Sequence, residues 1–116
     1  AITDRGNVVV SGLAMLNAGA NAITLGDTVG ETTNFGSLNV TGGAVSISED
    51  SATELAAVTA ATLTLTSGGA VTDSGNVVVT GLATLNAGGN AITLGDAVGE
   101  TTNFGSLNVT GGAVTI

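Results

Sequence analysis

Nine carboxylates supply most of the chemically reactive side chains of this 116-residue sequence, and four of them recur as pairs. Asp27 and Glu31 lie in Leu-Gly-Asp-Thr-Val-Gly-Glu, and Asp96 and Glu100 in Leu-Gly-Asp-Ala-Val-Gly-Glu. Carboxylates spaced this way have two chemical uses. One is acid–base work at a sugar, as in polysaccharide-cleaving β-helices. The other is holding calcium, a hard cation that wants several oxygens. The first use finds little support: His and Cys are absent, which excludes Ser-His-Asp and Cys-His sites. A duplicated active site in so small a chain would also be odd, and a solvated loop accounts for the pairs. The sequence therefore reads as a non-enzyme with no catalytic residue and no cofactor. Calcium is the more serious site hypothesis, with Asp27/Glu31, Asp96/Glu100 and the run Glu49/Asp50/Glu54 as ligand candidates. Neither an EF-hand loop nor the Gly-Gly-x-Gly-x-Asp nonapeptide is present to support it.

The acidic side chains face a lone basic one, Arg5, and leave a net charge of −8. Nucleic acid is excluded as a partner, because its phosphates are bound through Lys and Arg. Anionic membrane surfaces are disfavoured for the same reason. No apolar run approaches the ~20 residues that span a bilayer, so membrane insertion is not expected. No basic and then hydrophobic leader opens the chain, which points to a removed signal or an excerpt of something longer. A disulfide scaffold is ruled out by the lack of Cys.

The elements that must position these carboxylates emerge from a duplication. Residues 1–47 reappear as 70–116, and only seven of the 47 pairs differ: Ile2/Val71, Arg5/Ser74, Ser11/Thr80, Met15/Thr84, Ala20/Gly89, Thr28/Ala97 and Ser46/Thr115. Within each copy, short alternating strands flank Gly-containing corners, as in Leu107-Asn108-Val109-Thr110-Gly111-Gly112-Ala113-Val114. The apolar residues before the corners form a ladder, Leu16, Val40, Leu65, Leu85, Val109, and those after them another, Ile23, Val45, Val71, Ile92, Val114. Steps of 20–25 residues match one turn of a parallel β-solenoid, in which each strand pairs with its equivalent one turn later. Asn-Gly and Asp-Gly, the favoured two-residue hairpin turns, are absent, which disfavours a meander of hairpins, although the Gly-Asn and Gly-Gly pairs present could still close them. The expectation is an all-β, parallel β-helix of about five coils over residues 1–116, with 1–69 a three-coil unit and 70–116 a partial second one. Five coils at the spacing of paired strands would stand roughly 24 Å tall.

Other features are weaker. Asn17/Asn86 and Asn39/Asn108 fit either hydrogen-bonded Asn ladders or plain surface positions. Residues 49–58 could open a short helix, with Asp50 or Ser51 as cap and Glu54 closing a capping box, or continue as strand from Leu55. Thr62, Thr64 and Thr66 form a single threonine row, too little for an ice-binding face. Asn39-Val40-Thr41 and Asn108-Val109-Thr110 satisfy the glycosylation pattern, but they read better as strands before a Gly-Gly corner.

Gly-Asn-Val-Val-Val-Thr-Gly (75–81), Gly-Ser-Leu-Asn-Val-Thr-Gly-Gly (105–112) and Thr-Leu-Thr-Leu-Thr-Ser-Gly-Gly (62–69) resemble the repeat regions of large bacterial exported adhesins. These are the filamentous haemagglutinin-like and autotransporter-type β-helix proteins. The resemblance covers the whole chain and implies a right-handed β-helical shaft, extracellular or at the cell surface, in an adhesin or fibre. It transfers no binding residue. The expected function is structural, with further repeats or end-to-end stacking of copies as the partner. A carbohydrate- or calcium-binding module is the alternative, with host or surface carbohydrate as ligand.

Overall fold

Val, Ile, Leu and Ala alternate with Thr, Ser and Asn along the longer segments, and a period of two places one set on each face of an extended chain. In β5 (Thr53–Ser67), Leu55, Val58, Ala60, Leu63 and Leu65 are buried while Thr59, Thr62, Thr64 and Thr66 face solvent. A computed structural model describes residues 1–116 as ten strands and no helix. The others are β1 (Ile2–Thr3), β2 (Val8–Asn17), β3 (Ile23–Leu25), β4 (Thr33–Glu49), β6 (Val71–Asp73), β7 (Val77–Asn86), β8 (Ile92–Thr93), β9 (Thr102–Thr110) and β10 (Val114–Thr115).

Every strand pairing is parallel and joins one coil to the next. The chain is thus a β-solenoid of about five turns, as the coil-length pattern predicts. Its extents of 36 × 30 × 25 Å make it a block about as tall as it is wide. Inside runs an aliphatic core whose one fully buried ring is Phe35. Stacking is what buries it, because a single coil has no second layer of its own.

The ladders hold within each copy and fail between copies. Leu16 pairs with Val40, Ile23 with Val45, Leu85 with Val109 and Ile92 with Val114, as expected. Val40, however, stacks on Val58 rather than Leu65, and Val45 on Leu63 rather than Val71. The cause is one short coil. Following a single inward ladder, Ile2, Ile23, Val45, Leu63, Ala83 and Leu107, the steps are 21, 22, 18, 20 and 24 residues. The step of 18 lacks any counterpart of the acidic loop at residues 26–32. Three coils from Ile2 therefore end at Leu63, whereas its copy Val71 comes eight residues later on a different ladder. The 69-residue period is three coils plus part of a fourth, which corrects the three-coil unit.

No helix forms at residues 49–58. Asp50 N donates to Thr33 O and Thr53 N to Ala70 O, both at 2.9 Å, so these amides are spent on neighbouring coils. The Ser51 hydroxyl meets Asn34 Oδ1 instead of capping.

Register shifts mark four bulges, after Val10, Leu38, Ala60 and Val79, each with an extra residue on one strand. At these points carbonyl oxygens come close to the backbone of the next coil. Opposite them stand glycines: Gly36 over Ser11, Gly75 over Ala56, Gly81 over Ala61 and Gly105 over Thr80. A Cβ at Gly36 would fall far inside van der Waals contact with Ser11 O, whereas Gly12 has open space around it. Gly36→Ala is expected to cost about 2–3 kcal/mol by forcing the coils apart. Gly12→Ala should stay within about 0.5 kcal/mol. Urea unfolding of both variants checks this, and equal midpoints would refute the steric account.

Candidate functional site

Each acidic loop is shaped by two glycines. Chain leaving β3 turns at Gly26 (φ 70°) and again at Gly30 (φ 92°), a left-handed backbone that L side chains rarely adopt. Just past them Glu31 folds back: its Oε2 accepts from Thr28 N, and its own N donates to Thr28 O, both at 3.3 Å. The second loop repeats this at Gly95 (φ 68°) and Gly99 (φ 92°), with Glu100 Oε2 accepting from Ala97 N at 3.1 Å. Only backbone atoms of residue 28 or 97 are used, which explains why Thr and Ala exchange there.

A third carboxylate joins each pair from the preceding coil. Gly26 N donates to Asp4 Oδ2 (3.0 Å), and Gly95 N to Asp73 (3.0 and 3.2 Å). Carboxylate oxygens of Asp4, Asp27 and Glu31 lie within 4.8 Å of one another, as do those of Asp73, Asp96 and Glu100. Asp4 Oδ1 is enclosed without a hydrogen-bond partner. Burial, and then the charges of Glu100 and Asp96, push the Asp73 carboxyl above its ordinary value. Three carboxylates sharing a corner with no lysine or histidine are an arrangement a divalent cation would relieve. All four loop residues expected from the sequence are thus brought together, and two were missed. The signal existed: Asp4 precedes Asp27, and Asp73 precedes Asp96, by 23 residues, within the range of one coil.

Glu49, Asp50 and Glu54 do not converge. Asp50 Oδ2 accepts from Thr33 N at 2.9 Å, and Glu49 turns inward with 2 % exposure. Glu49 Oε1 accepts from Phe35 N at 2.8 Å, while Oε2 lies 2.7 Å from Thr53 Oγ1. Thr53 Oγ1 is 2.9 Å from Ser67 Oγ, which is 2.8 Å from Ser51 O. This chain of three contacts ends on a carbonyl, which only accepts. The two hydroxyls bring two protons, so the third must come from the carboxyl. With Glu49 neutral, protons run from Glu49 to Thr53, to Ser67, to Ser51 O, and every contact is satisfied. Burial pushes the Glu49 carboxyl above 4.5, and Asp50 beside it adds to the rise, against the hydrogen bond from Phe35 N. Because the folded value is raised, the stability it contributes is complete below the unfolded value and is lost as pH climbs toward the folded one. Glu49→Gln, which donates and accepts at the same places, is expected to raise the melting temperature at pH 7. The variant should also lose the part of the wild-type decline that sets in above about pH 4.5. Thermal unfolding of both proteins from pH 4 to 8 measures this. A Gln variant less stable than wild type at pH 7 would show the carboxylate to be ionised in the fold.

Asn17 and Asn86 build no ladder. Each carboxamide oxygen accepts from the amide two residues on, Gly19 N and Gly88 N, at 2.9 Å, and holds its own corner. Asn39 pairs with Met15 and Ala57, and Asn108 with Thr84. Asn7 and Asn76 do tie coils together, their Oδ1 atoms accepting from Thr32 N (2.8 Å) and Thr101 N (2.9 Å). Thr64 is not isolated: Thr3, Thr24, Ser46, Thr64, Thr84 and Asn108 follow one another up one outward column. Two shallow recesses of about 210 and 240 Å³ lie over the bulges at Val10 and Val79. Neither is lined by a carboxylate, and both are smaller than typical small-molecule pockets.

A family model described as repeats of unknown function (DUF5649) matches residues 1–41 and 42–103. The boundary between the two matches falls inside β4, so the family's units, like the 69-residue copies, cut across coils. No curated protein and no solved structure matches the chain.

Proposed function

We propose that this chain, which belongs to the DUF5649 repeat family, is a length of structural shaft whose role is to project or space what lies beyond it. One observation carries the reading: identical residues are core in one copy and surface in the other. Leu38, Val45 and Ile47 are 1, 2 and 2 % exposed, and their copies Leu107, Val114 and Ile116 are 39, 44 and 51 % exposed. At the opposite end, Val8 and Leu16 are only partly buried, while their copies Val77 and Leu85 are core. Both end coils therefore present apolar ladders and unpaired strand edges that further coils would cover, from more repeats or from copies stacked end to end. Placement in a secreted or cell-surface adhesin or fibre rests on the resemblance of residues 62–69, 75–81 and 105–112 to exported adhesin repeats. Contact with other molecules is assigned to the faces of the shaft, and no catalytic role is proposed.

A chain extended by one more 69-residue unit is expected to remain one rod and to lengthen by roughly 16 Å, three coils and a fraction at the strand spacing. Small-angle scattering with thermal unfolding tests this. Two independently tumbling bodies with separate transitions would overturn the shaft reading.

The two carboxylate triads favour a second reading, a calcium-binding module. On that reading the melting temperature rises with millimolar calcium, and Asp4→Asn with Asp73→Asn removes most of the rise. An unchanged melting temperature up to 10 mM, about tenfold above the dissociation constants of the weakest extracellular calcium modules, would dismiss it.

A further inference from the structure

Three side-chain oxygens are enclosed without a hydrogen-bond partner: Asp4 Oδ1, Thr33 Oγ1 and Thr102 Oγ1. All three stand at the two acidic corners. Thr33 opens β4 directly after the loop of residues 26–32, and its copy Thr102 opens β9 after residues 95–101. A Cβ at Gly26, where the first loop begins, would lie 2.9 Å from Thr33 Oγ1, and one at Gly95 would lie 2.8 Å from Thr102 Oγ1. Each hydroxyl is therefore at the neck of its loop, against the glycine whose amide holds Asp4 or Asp73.

Packing does not account for a hydroxyl at these places. Thr33 is 1 % exposed and pairs with Val8, while Thr102 pairs with Val77, which pairs in turn with Val58. In an inward ladder of valines, another valine would fill the same space, and a buried hydroxyl left unanswered is destabilising. The main chain of Thr33 gives no reason either. Its N donates to Asp50 Oδ2 and its O accepts from Asp50 N, both at 2.9 Å, and neither bond uses the side chain.

An occupant that gathers these oxygens must be positive, because three carboxylates share each corner. Its size follows from their spread. Oxygens on opposite sides of a calcium ion stand up to about 5.2 Å apart, against about 4.2 Å for magnesium. The carboxylate oxygens at each corner lie within 4.8 Å of one another, inside the calcium limit without rearrangement. Calcium also takes neutral oxygens beside carboxylates in irregular arrangements, whereas magnesium demands a near-ideal octahedron.

We infer that each corner binds one calcium ion whose innermost ligand is the threonine at the neck of the loop. Thr33 Oγ1 joins Asp4, Asp27 and Glu31 at the first corner, and Thr102 Oγ1 joins Asp73, Asp96 and Glu100 at the second. The inference deepens the calcium reading and rests on it. An ion held this way clamps the coil of Asp4 to the coil of Thr33, and the two backbone bonds between Thr33 and Asp50 carry the clamp on to a third coil.

The test titrates calcium chloride by calorimetry into the 116-residue protein and into two double variants, Thr33→Val with Thr102→Val and Thr33→Ser with Thr102→Ser. All three are also melted in chelator. The valine pair is expected to bind calcium at least about tenfold more weakly, having lost one ligand at each corner. Without calcium it should melt no lower than wild type, because only an unanswered hydroxyl has been removed. The serine pair, which keeps the oxygen, should bind far closer to wild type than to the valine pair. Equal affinity in the valine pair, or a serine pair as weak as the valine pair, would remove the threonine ligand and leave the calcium reading standing. A valine pair that melts lower in chelator would overturn the inference too, since the hydroxyl would then be bonded within the fold. No calcium binding by wild type up to about 10 mM would remove both readings together.

Discussion

The coils approach so closely along the axis that, wherever a strand bulges or rounds a corner, a carbonyl oxygen of one coil meets the α-carbon of the next. Gly36, Gly75 and Gly105 answer such oxygens at bulges, and Gly43, Gly68 and Gly112 answer those of Ala20, Asp50 and Gly89 at corners. A methyl group at any of these would hold the backbones beyond the strand-pairing distance, and the ladder of hydrogen bonds would open on both sides of it. The rest follows from that proximity. Small, regular coils leave an interior too narrow for stacked rings, which is why Leu, Ile, Val and Ala fill it. The 19 glycines of the chain are spent mainly on close approach and on two kinds of turn, and seldom on flexibility.

The sequence carried the fold class and the local registers because the duplication lets one segment be aligned on another. Leu16 on Val40 and Ile92 on Val114 follow from corner glycines alone. Residues 48–69 have no second copy, and the reading fails there: this coil drops the acidic loop, shortens, and shifts every later ladder. Nothing in the letters distinguishes Glu49 from a surface charge. Its burial depends on Thr53 and Ser67 arriving beside it from the same short coil, a matter of register rather than of composition. Asp4 and Asp73 are the opposite case. They sit one coil-length before the loops they complete, and only the decision to search within the loop hid them.

Glu49 also shows how a polar interior can be made self-consistent. A buried carboxyl is costly when charged and tolerable when neutral and fully hydrogen-bonded. The Glu49, Thr53, Ser67 and Ser51 chain meets that condition with groups of the protein alone, and it does so in the coil that joins one copy to the next. Aliphatic coils could slide in register, because Val against Leu costs little. A polar run that is satisfied in only one alignment does not permit the slide.

Since the copies are displaced by eight residues around the coil, equal letters do not share an edge. The loop holding Asp27 leaves the ladder Thr24, Ser46, Thr64, Thr84, whereas the loop holding Asp96 leaves the ladder Glu54, Thr72, Thr93, Thr115. Sequence and space thus keep different time, and each added copy would set its acidic corner at a new azimuth. Along a longer run of such copies these corners would wind around the solenoid as a screw thread of negative charge.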